Sequence, residues 1–276
     1  MPLAHHLIQG LGADLIRQGT LHGSPSFLIP VSYHSSLWIS MVFSLVIWRK
    51  LWYPVTEVMT MASKAAIKRI IETLKDIYPD ALCSLQYDKD YELLFAVRLS
   101  AQCTDERVNK VTPALFARFP TLESFAEADP KEVGEYIHSC GFFNGKARDL
   151  VACAQQLLEK HGGKVPGTME ELTALPGVGR KTANLILGDI FGQEGYVCDT
   201  HCIRITGRLG ITDGSKDPLQ VERQLRQCIP PKESSNFCHR MVLFGRDTCT
   251  ARSPKCEGCP LSKDCAAFKA AAKLKK

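Results

Sequence analysis

Four of the chain's twelve cysteines stand within 17 residues, Cys249, Cys256, Cys259 and Cys265, spaced C-x6-C-x2-C-x5-C. Four thiols this close in sequence can converge on one centre, and whatever surrounds them must fold to let them. Spacing alone allows two occupants, a tetrahedral zinc ion or an iron–sulfur cluster, since a set of four thiolates suits either. A disulfide framework is a third possibility, but the rest of the chain does not look secreted.

The other eight cysteines, at 83, 103, 140, 153, 198, 202, 228 and 238, show no repeated spacing. Several sit in apolar surroundings, as Cys153 does in DLVACAQQLL, and they read as reduced, buried thiols of an intracellular protein. The 276 residues suffice for two modest domains with real cores. Charged residues make up 23% of the chain, an ordinary share for a soluble protein. The net charge of +5 is compatible with a polyanionic partner without requiring one.

Residues 1–60 differ from the rest. They hold all three tryptophans, none of the cysteines, and five charged side chains, with none between residues 18 and 48. The run Leu37–Trp48 is too short to span a membrane. Extended back to Phe27 it is long enough, though Pro30 and His34 interrupt it, and Arg49 and Lys50 follow as flanking charges. Three readings compete: a membrane anchor over 27–48, a targeting segment, and a segment outside the functional protein, read from an upstream start. The last is preferred, with the functional start at Met59 or Met61, because composition breaks there and an amphipathic helix follows.

That helix places Ile67, Ile70, Ile71, Leu74 and Ile77 on one face of Ala66–Tyr78. Tyr91–Ala101 is apolar enough for a buried helix, and Lys146–Lys160 carries a stripe of Leu150, Val151, Ala154, Leu157 and Leu158. Thr168–Glu171 has the form of a capping box. Asp217-Pro218 reads as an N-cap followed by a proline at the first helical position. No period-two alternation and no Asn-Gly hairpin signal is found, so the fold class is all-α.

Short helices are expected over Glu170–Leu175 and Lys181–Phe191, joined by Pro176-Gly177-Val178-Gly179-Arg180. Two glycines permit a sharp turn and leave its amides unshielded at a positive helix end. That is a phosphate-sized anion site that reads no base sequence, the helix–hairpin–helix pattern. Lys181 falls in the first turn of the second helix, where the dipole and partial burial favour the neutral, nucleophilic amine. A phosphate-binding lysine fits the same place equally well. Asp199, in Cys198-Asp-Thr-His201, can assist such a lysine or can simply cap the next helix. His201 reads as structural.

Taken together, LPGVGRKTAN (175–184), CDTH (198–201), the four cysteines, LLFAVRLSAQCTDERVNK (93–110) and GFFNGKA (141–147) resemble the endonuclease III family. Its members are bifunctional DNA glycosylases and abasic-site lyases of the helix–hairpin–helix superfamily, and the similarity spans about residues 62–268. The resemblance implies a six-helix barrel domain carrying the hairpin over 84–193, and a cluster domain built from 62–83 with 194–276. It implies Lys181 and Asp199 as the catalytic pair, facing each other across the cleft between the domains, and the four cysteines as ligands of a [4Fe–4S] cluster.

Gln102 matches a residue that fills the gap left by a flipped nucleotide, and Phe142 stands where an apolar wedge, often leucine, is used. Arg98 stands where an aliphatic residue is usual, a departure with no account in the sequence. Gly177, Gly179 and Arg180 of the hairpin, with Arg252 and Lys255 of the six-residue cysteine loop, are expected to meet phosphates. The implied activity is excision of oxidised pyrimidines from double-stranded DNA and nicking at abasic sites, by a cytoplasmic monomer with no obligate protein partner. Two alternatives remain. An adenine-excising relative lacks the lysine at 181, and a non-catalytic DNA-binding iron–sulfur protein has no need of both Lys181 and Asp199.

Overall fold

The computed structural model describes residues 61–274, so the expectations for residues 1–60, the anchor over 27–48 among them, lie outside the described residues. These hold twelve α-helices and no strand. No helix among them is long and apolar enough to cross a membrane.

Helix α1, Lys64–Ile77, starts where the Ser63 hydroxyl accepts the Ala66 N–H at 3.2 Å. Ile67, Ile70, Ile71 and Leu74 are buried as their spacing demands, whereas Ile77 is exposed because the helix ends there. Helix α2, Asp90–Leu99, buries Leu93, Leu94, Phe95, Ala96, Val97 and Leu99. Apolar on every side, it sits between α3 (Asp105–Arg118), α6 (Phe143–His161) and α8 (Arg180–Asp189). Each of its larger side chains contributes about 1.5–3 kcal/mol by leaving water. Phe95 meets Phe125 edge-on, with centroids 5.0 Å apart, and Phe116, Phe119 and Tyr91 complete an aromatic cluster around Phe125.

Helices α4 (Leu122–Ala126) and α5 (Pro130–Ile137) are short, capped by Thr121 and Asp129, and both pack on α6. After α6 ends at Gly162, α7 (Met169–Thr173) leads into the glycine turn and α8. The cap at Thr168 forms in half: its oxygen accepts the Glu171 N–H at 3.3 Å, while Glu171 takes the Thr168 hydroxyl rather than a backbone amide. The rest of the chain forms α9 (Thr200–Leu209), α10 (Pro218–Cys228), α11 (Ser234–Asp247) and α12 (Ala266–Leu274). Asp217 caps α10 with Pro218 at its first position, as its sequence predicts. Helix α11 packs against α1, α8 and α9. The earliest described helix is thereby joined to the last ones, and Arg69 grips Asp264 of the cysteine segment through two hydrogen bonds, at 2.5 and 3.1 Å.

Of the eight scattered cysteines, Cys140, Cys153, Cys198, Cys202 and Cys238 are buried; Cys83, Cys103 and Cys228 are only partly so, and all are free thiols. Cys83 and Cys103 lie in loops and Cys228 ends α10, so burial on one side suffices.

The joint between α8 and α10 is ionic. Glu222, 3% exposed, receives the Arg180 guanidinium at 2.7 and 2.8 Å, Arg226 at 3.1 Å and Asn184 at 3.2 Å. Burial pushes the Glu222 carboxyl up, but the hydrogen bonds and charges of Arg180 and Arg226 outweigh it and hold the group below its ordinary value. A carboxylate depressed on folding adds stability that is complete above its unfolded value of about 4.3 and is lost as pH falls below that. Urea midpoints of wild type and Glu222→Gln should therefore differ at neutral pH and converge below about pH 4.

Candidate active site

The hairpin turn is built on backbone that few residues adopt. Gly177 has φ +72°, and a Cβ there would lie 2.5 Å from Arg98 Nε and 2.8 Å from Asp149 Oδ2. No other residue fits. Gly179 is the N-cap of α8, with no side-chain cap. Val178 N–H turns inward to the Leu175 carbonyl at 3.1 Å. Among the described residues, no protein acceptor meets the N–H groups of Gly179 and Arg180 at the helix start. Orphan amides at a positive helix end are a ready anion site. The Arg180 side chain, however, lies on Glu222, so what it offers at the turn is its backbone amide.

Lys181 is exposed in the first turn of α8, and no hydrogen bond or ion pair of the described residues holds its amine. Asp199 is the N-cap of α9, its Oδ1 accepting the Cys202 N–H at 2.7 Å. The His201 ring feels the charge of both. Burial pushes its ring down, the Asp199 carboxylate pulls it up, and Arg204, Arg246 and Lys181 push it down further. Lys181 and Asp199 thus act on one ring from α8 and α9. Arg204 Nη2 donates to His201 Nδ1 at 3.2 Å, which keeps the ring neutral with its proton on Nε2.

Gln102 (φ +55°) and Phe142 (φ +50°) are the two non-glycine residues with positive φ among the described residues. Both are exposed, Phe142 to 77%, and a Cβ on Gly141 would lie 4.0 Å from the Gln102 carbonyl, so their loops adjoin. An exposed aromatic in a left-handed conformation is strain of about 1–3 kcal/mol, the sort that collects at functional sites.

Sequence reasoning missed what holds these loops. Lys146 is 1% exposed, and its Nζ donates to the carbonyls of Leu99 at 2.8 Å and Cys140 at 2.5 Å. It staples the end of α2, before Gln102, to the segment before Phe142. A signal was present, because Lys146 precedes Leu150 by four residues on the apolar stripe of α6. A second link runs from Asp105, which accepts from Ser84 at 2.5 Å and Arg246 at 2.9 Å, through Arg246 toward His201. The departure at Arg98 also acquires a partner: its Nε and Nη2 donate to Asp149 Oδ2 at 2.8 and 2.6 Å.

No disulfide joins the four terminal cysteines. Cys249 bears electrostatically on Cys256, Cys259 and Cys265, so the four are neighbours. Yet among the described residues no three His, Cys, Asp or Glu side chains converge as a single metal ion requires. Arg208 Nη1 donates to Cys249 Sγ at 3.3 Å, and its guanidinium also binds the carbonyls of Thr250 and Ala251. Arg204 Nη2 donates to the Cys249 carbonyl at 3.0 Å, and its buried Nε has no partner. One guanidinium on the Cys249 sulfur, and a second on its carbonyl with an orphaned N–H, set two cations beside the four thiols, a surrounding that suits an anionic cluster. Burial pushes Cys256, Cys259 and Cys265 up; bound iron is what makes such thiols thiolates.

Comparison with known proteins agrees on class and then on family. Residues 95–231 match the HhH-GPD superfamily of base excision DNA repair proteins, and residues 249–265 match the iron–sulfur binding domain of endonuclease III. The chain is 47% identical over 207 residues to endonuclease III of Synechocystis, covering 74% of this chain and 94% of that one. With endonuclease III of Bacillus subtilis the identity is 38% over 205 residues, covering 74% and 94%. A solved structure, a trapped endonuclease III–DNA covalent intermediate, superposes with TM-score 0.73 at 40% identity, covering 78% of this chain and all of that one. The chain belongs to the endonuclease III family. It is a DNA glycosylase and abasic-site lyase of base excision repair with a [4Fe–4S] cluster.

The cluster assignment is checked by metal analysis. Anaerobically purified protein should hold about four irons per chain and no stoichiometric zinc. Cys256→Ser should lose iron and fold poorly, because metal binding and folding share one free energy.

Proposed function

We propose that this protein excises oxidised pyrimidines from duplex DNA and nicks the resulting abasic site by β-elimination, with Lys181 as nucleophile and Asp199 as its proton acceptor. The observation that carries the reading is one locale. An exposed, unpartnered amine in the first turn of α8 and a carboxylate at the start of α9 act on the same His201 ring.

DNA docks its phosphates on the amides of Gly177, Gly179 and Arg180, and on Arg252 and Lys255, both exposed in the loop between Cys249 and Cys256. The damaged nucleotide is extruded. Gln102 fills the gap it leaves, and Phe142 wedges the opposite strand; their exposure and positive φ support these roles. Lys181 Nζ attacks C1′. The glycosidic C1′–N bond breaks, its electron pair leaves on the base, and the base takes up a proton. Asp199 accepts the proton shed by the amine and its charge stabilises the cationic sugar. The C1′–O4′ bond then opens as the nitrogen lone pair forms the Schiff base, with O4′ protonated. Loss of a C2′ proton expels the 3′ phosphate, which cuts the strand on that side, and water frees Lys181.

Cys249, Cys256, Cys259 and Cys265 ligate the cluster, whose work is to hold the basic loop. The same reading divides the chain into a barrel domain over 84–193 and a cluster domain of 62–83 with 194–276, active as a cytoplasmic monomer.

Borohydride trapping on abasic duplex tests the nucleophile. Lys181→Gln should give no covalent adduct while still binding; an adduct at the wild-type rate would mean that another amine attacks. Asp199→Asn should slow turnover by about 10²–10⁴-fold with binding largely kept. A lesion panel should rank oxidised pyrimidines above mismatched adenine.

The hairpin has its own test. A Cβ on Gly179 meets nothing within 4 Å, so alanine fits the protein yet adds a methyl where phosphate docks. Gly179→Ala should weaken duplex binding with the fold retained. Wild-type affinity should fall steeply with salt.

A further inference from the structure

We infer that the Arg98–Asp149 ion pair is a positioning and charge-balancing device for the hairpin, with Arg98 cancelling a carboxylate that otherwise lies against the docked phosphate. The inference rests on the reading that the hairpin turn meets DNA phosphate.

Three observations carry it. The first is contact. The Gly177 Cα sits so close to the pair that a methyl there would lie 2.5 Å from Arg98 Nε, 2.9 Å from Arg98 Cδ and 2.8 Å from Asp149 Oδ2. The turn rests on the ion pair itself, not on an apolar neighbour. The second is exposure. The side chains of Arg98 and Asp149 are 24% and 30% exposed, beside an exposed Gly177, so the pair is not sealed off from a ligand at the turn. The third is connectivity. Arg98 lies in the last turn of α2, four residues before Gln102, and Asp149 lies in α6, seven residues after Phe142. One pair therefore bears on the hairpin from the two helices that carry the Gln102 and Phe142 loops.

The charge logic follows from Coulomb's law. A lone carboxylate beneath an anion site repels the anion. Both Arg98 donors fall on the same oxygen, Asp149 Oδ2, the carboxylate atom that faces the turn. The guanidinium thus neutralises the carboxylate where it faces the glycine. It also fixes the height at which the turn rests, because its Nε and Cδ form the floor under Gly177. Arg98 touches no reacting atom in this account; it acts through the hairpin.

A mutant cycle separates charge from packing, read as the dissociation constant for a duplex with an uncleavable abasic analogue, and as the single-turnover rate at saturating DNA. Arg98→Leu leaves the carboxylate unopposed and should weaken binding about tenfold at ~0.1 M salt, with the saturated rate within about twofold of wild type. Asp149→Asn leaves an extra cation and should bind at least as tightly as wild type. The double variant Arg98→Leu/Asp149→Asn has neither charge, and its affinity should recover to within about threefold of wild type. A purely structural pair makes both single variants weaker and gives no recovery.

Wild-type affinity in Arg98→Leu, or a double variant no tighter than Arg98→Leu, overturns the inference. Gly179→Ala, measured alongside, distinguishes the sources of failure. If it weakens binding while Arg98→Leu does not, the pair is inert and the hairpin reading survives. If it binds as wild type does, the hairpin reading fails and the inference fails with it.

Discussion

Helix α8 begins on a glycine with no side-chain cap, and much of the fold exists to keep that helix start bare and in place. A serine, threonine or aspartate at position 179 would satisfy the first amides and so occupy the anion site. Instead the chain leaves them unmet and secures the helix elsewhere. Val178 N–H is drawn back to Leu175, Arg180 is drawn sideways to the buried Glu222, and Gly177 rests on Arg98 and Asp149. Each contact fixes backbone near the turn without filling the space in front of it.

The same economy appears at the two strained residues. Gln102 and Phe142 stand in left-handed backbone, which costs free energy and persists only where neighbours over-determine it. Lys146 supplies that constraint through two buried carbonyls, one in each segment. A buried ammonium is itself costly. Burial does push the Lys146 amine down, while the nearby Cys103 and Cys140 thiols raise it. A flexible apolar residue in its place would leave both carbonyls unpaired and both loops free to relax.

Helix α9 connects Asp199 to the cysteine segment. Asp199 caps its first turn, Arg204 in its middle touches both His201 and Cys249, and Arg208 in its last turn holds Cys249, Thr250 and Ala251. The cysteine segment is therefore tied to a ten-residue helix whose other end carries Asp199. No chemistry needs to pass between them.

Local chemistry was legible in the chain itself. The 3.6-residue periods of α1 and α6, the caps at Thr168 and Asp217, the glycine turn and the cysteine spacing are short-range patterns with short-range causes, so sequence alone determined them. Lys181 was picked out by its offset from the turn, but which charged groups stand near it is set by segments distant in sequence, such as the one that carries His201. Only the tertiary structure decided such matters. The Arg180 side chain leaves the turn because Glu222, 42 residues on, is buried beside it. Arg98 found its account because Asp149, 51 residues away, meets it under Gly177. Lys146 became a staple because the ends of two separate helices meet there. A pairing between distant residues leaves no periodic trace, since it is set by how helices pack rather than by how any one of them forms.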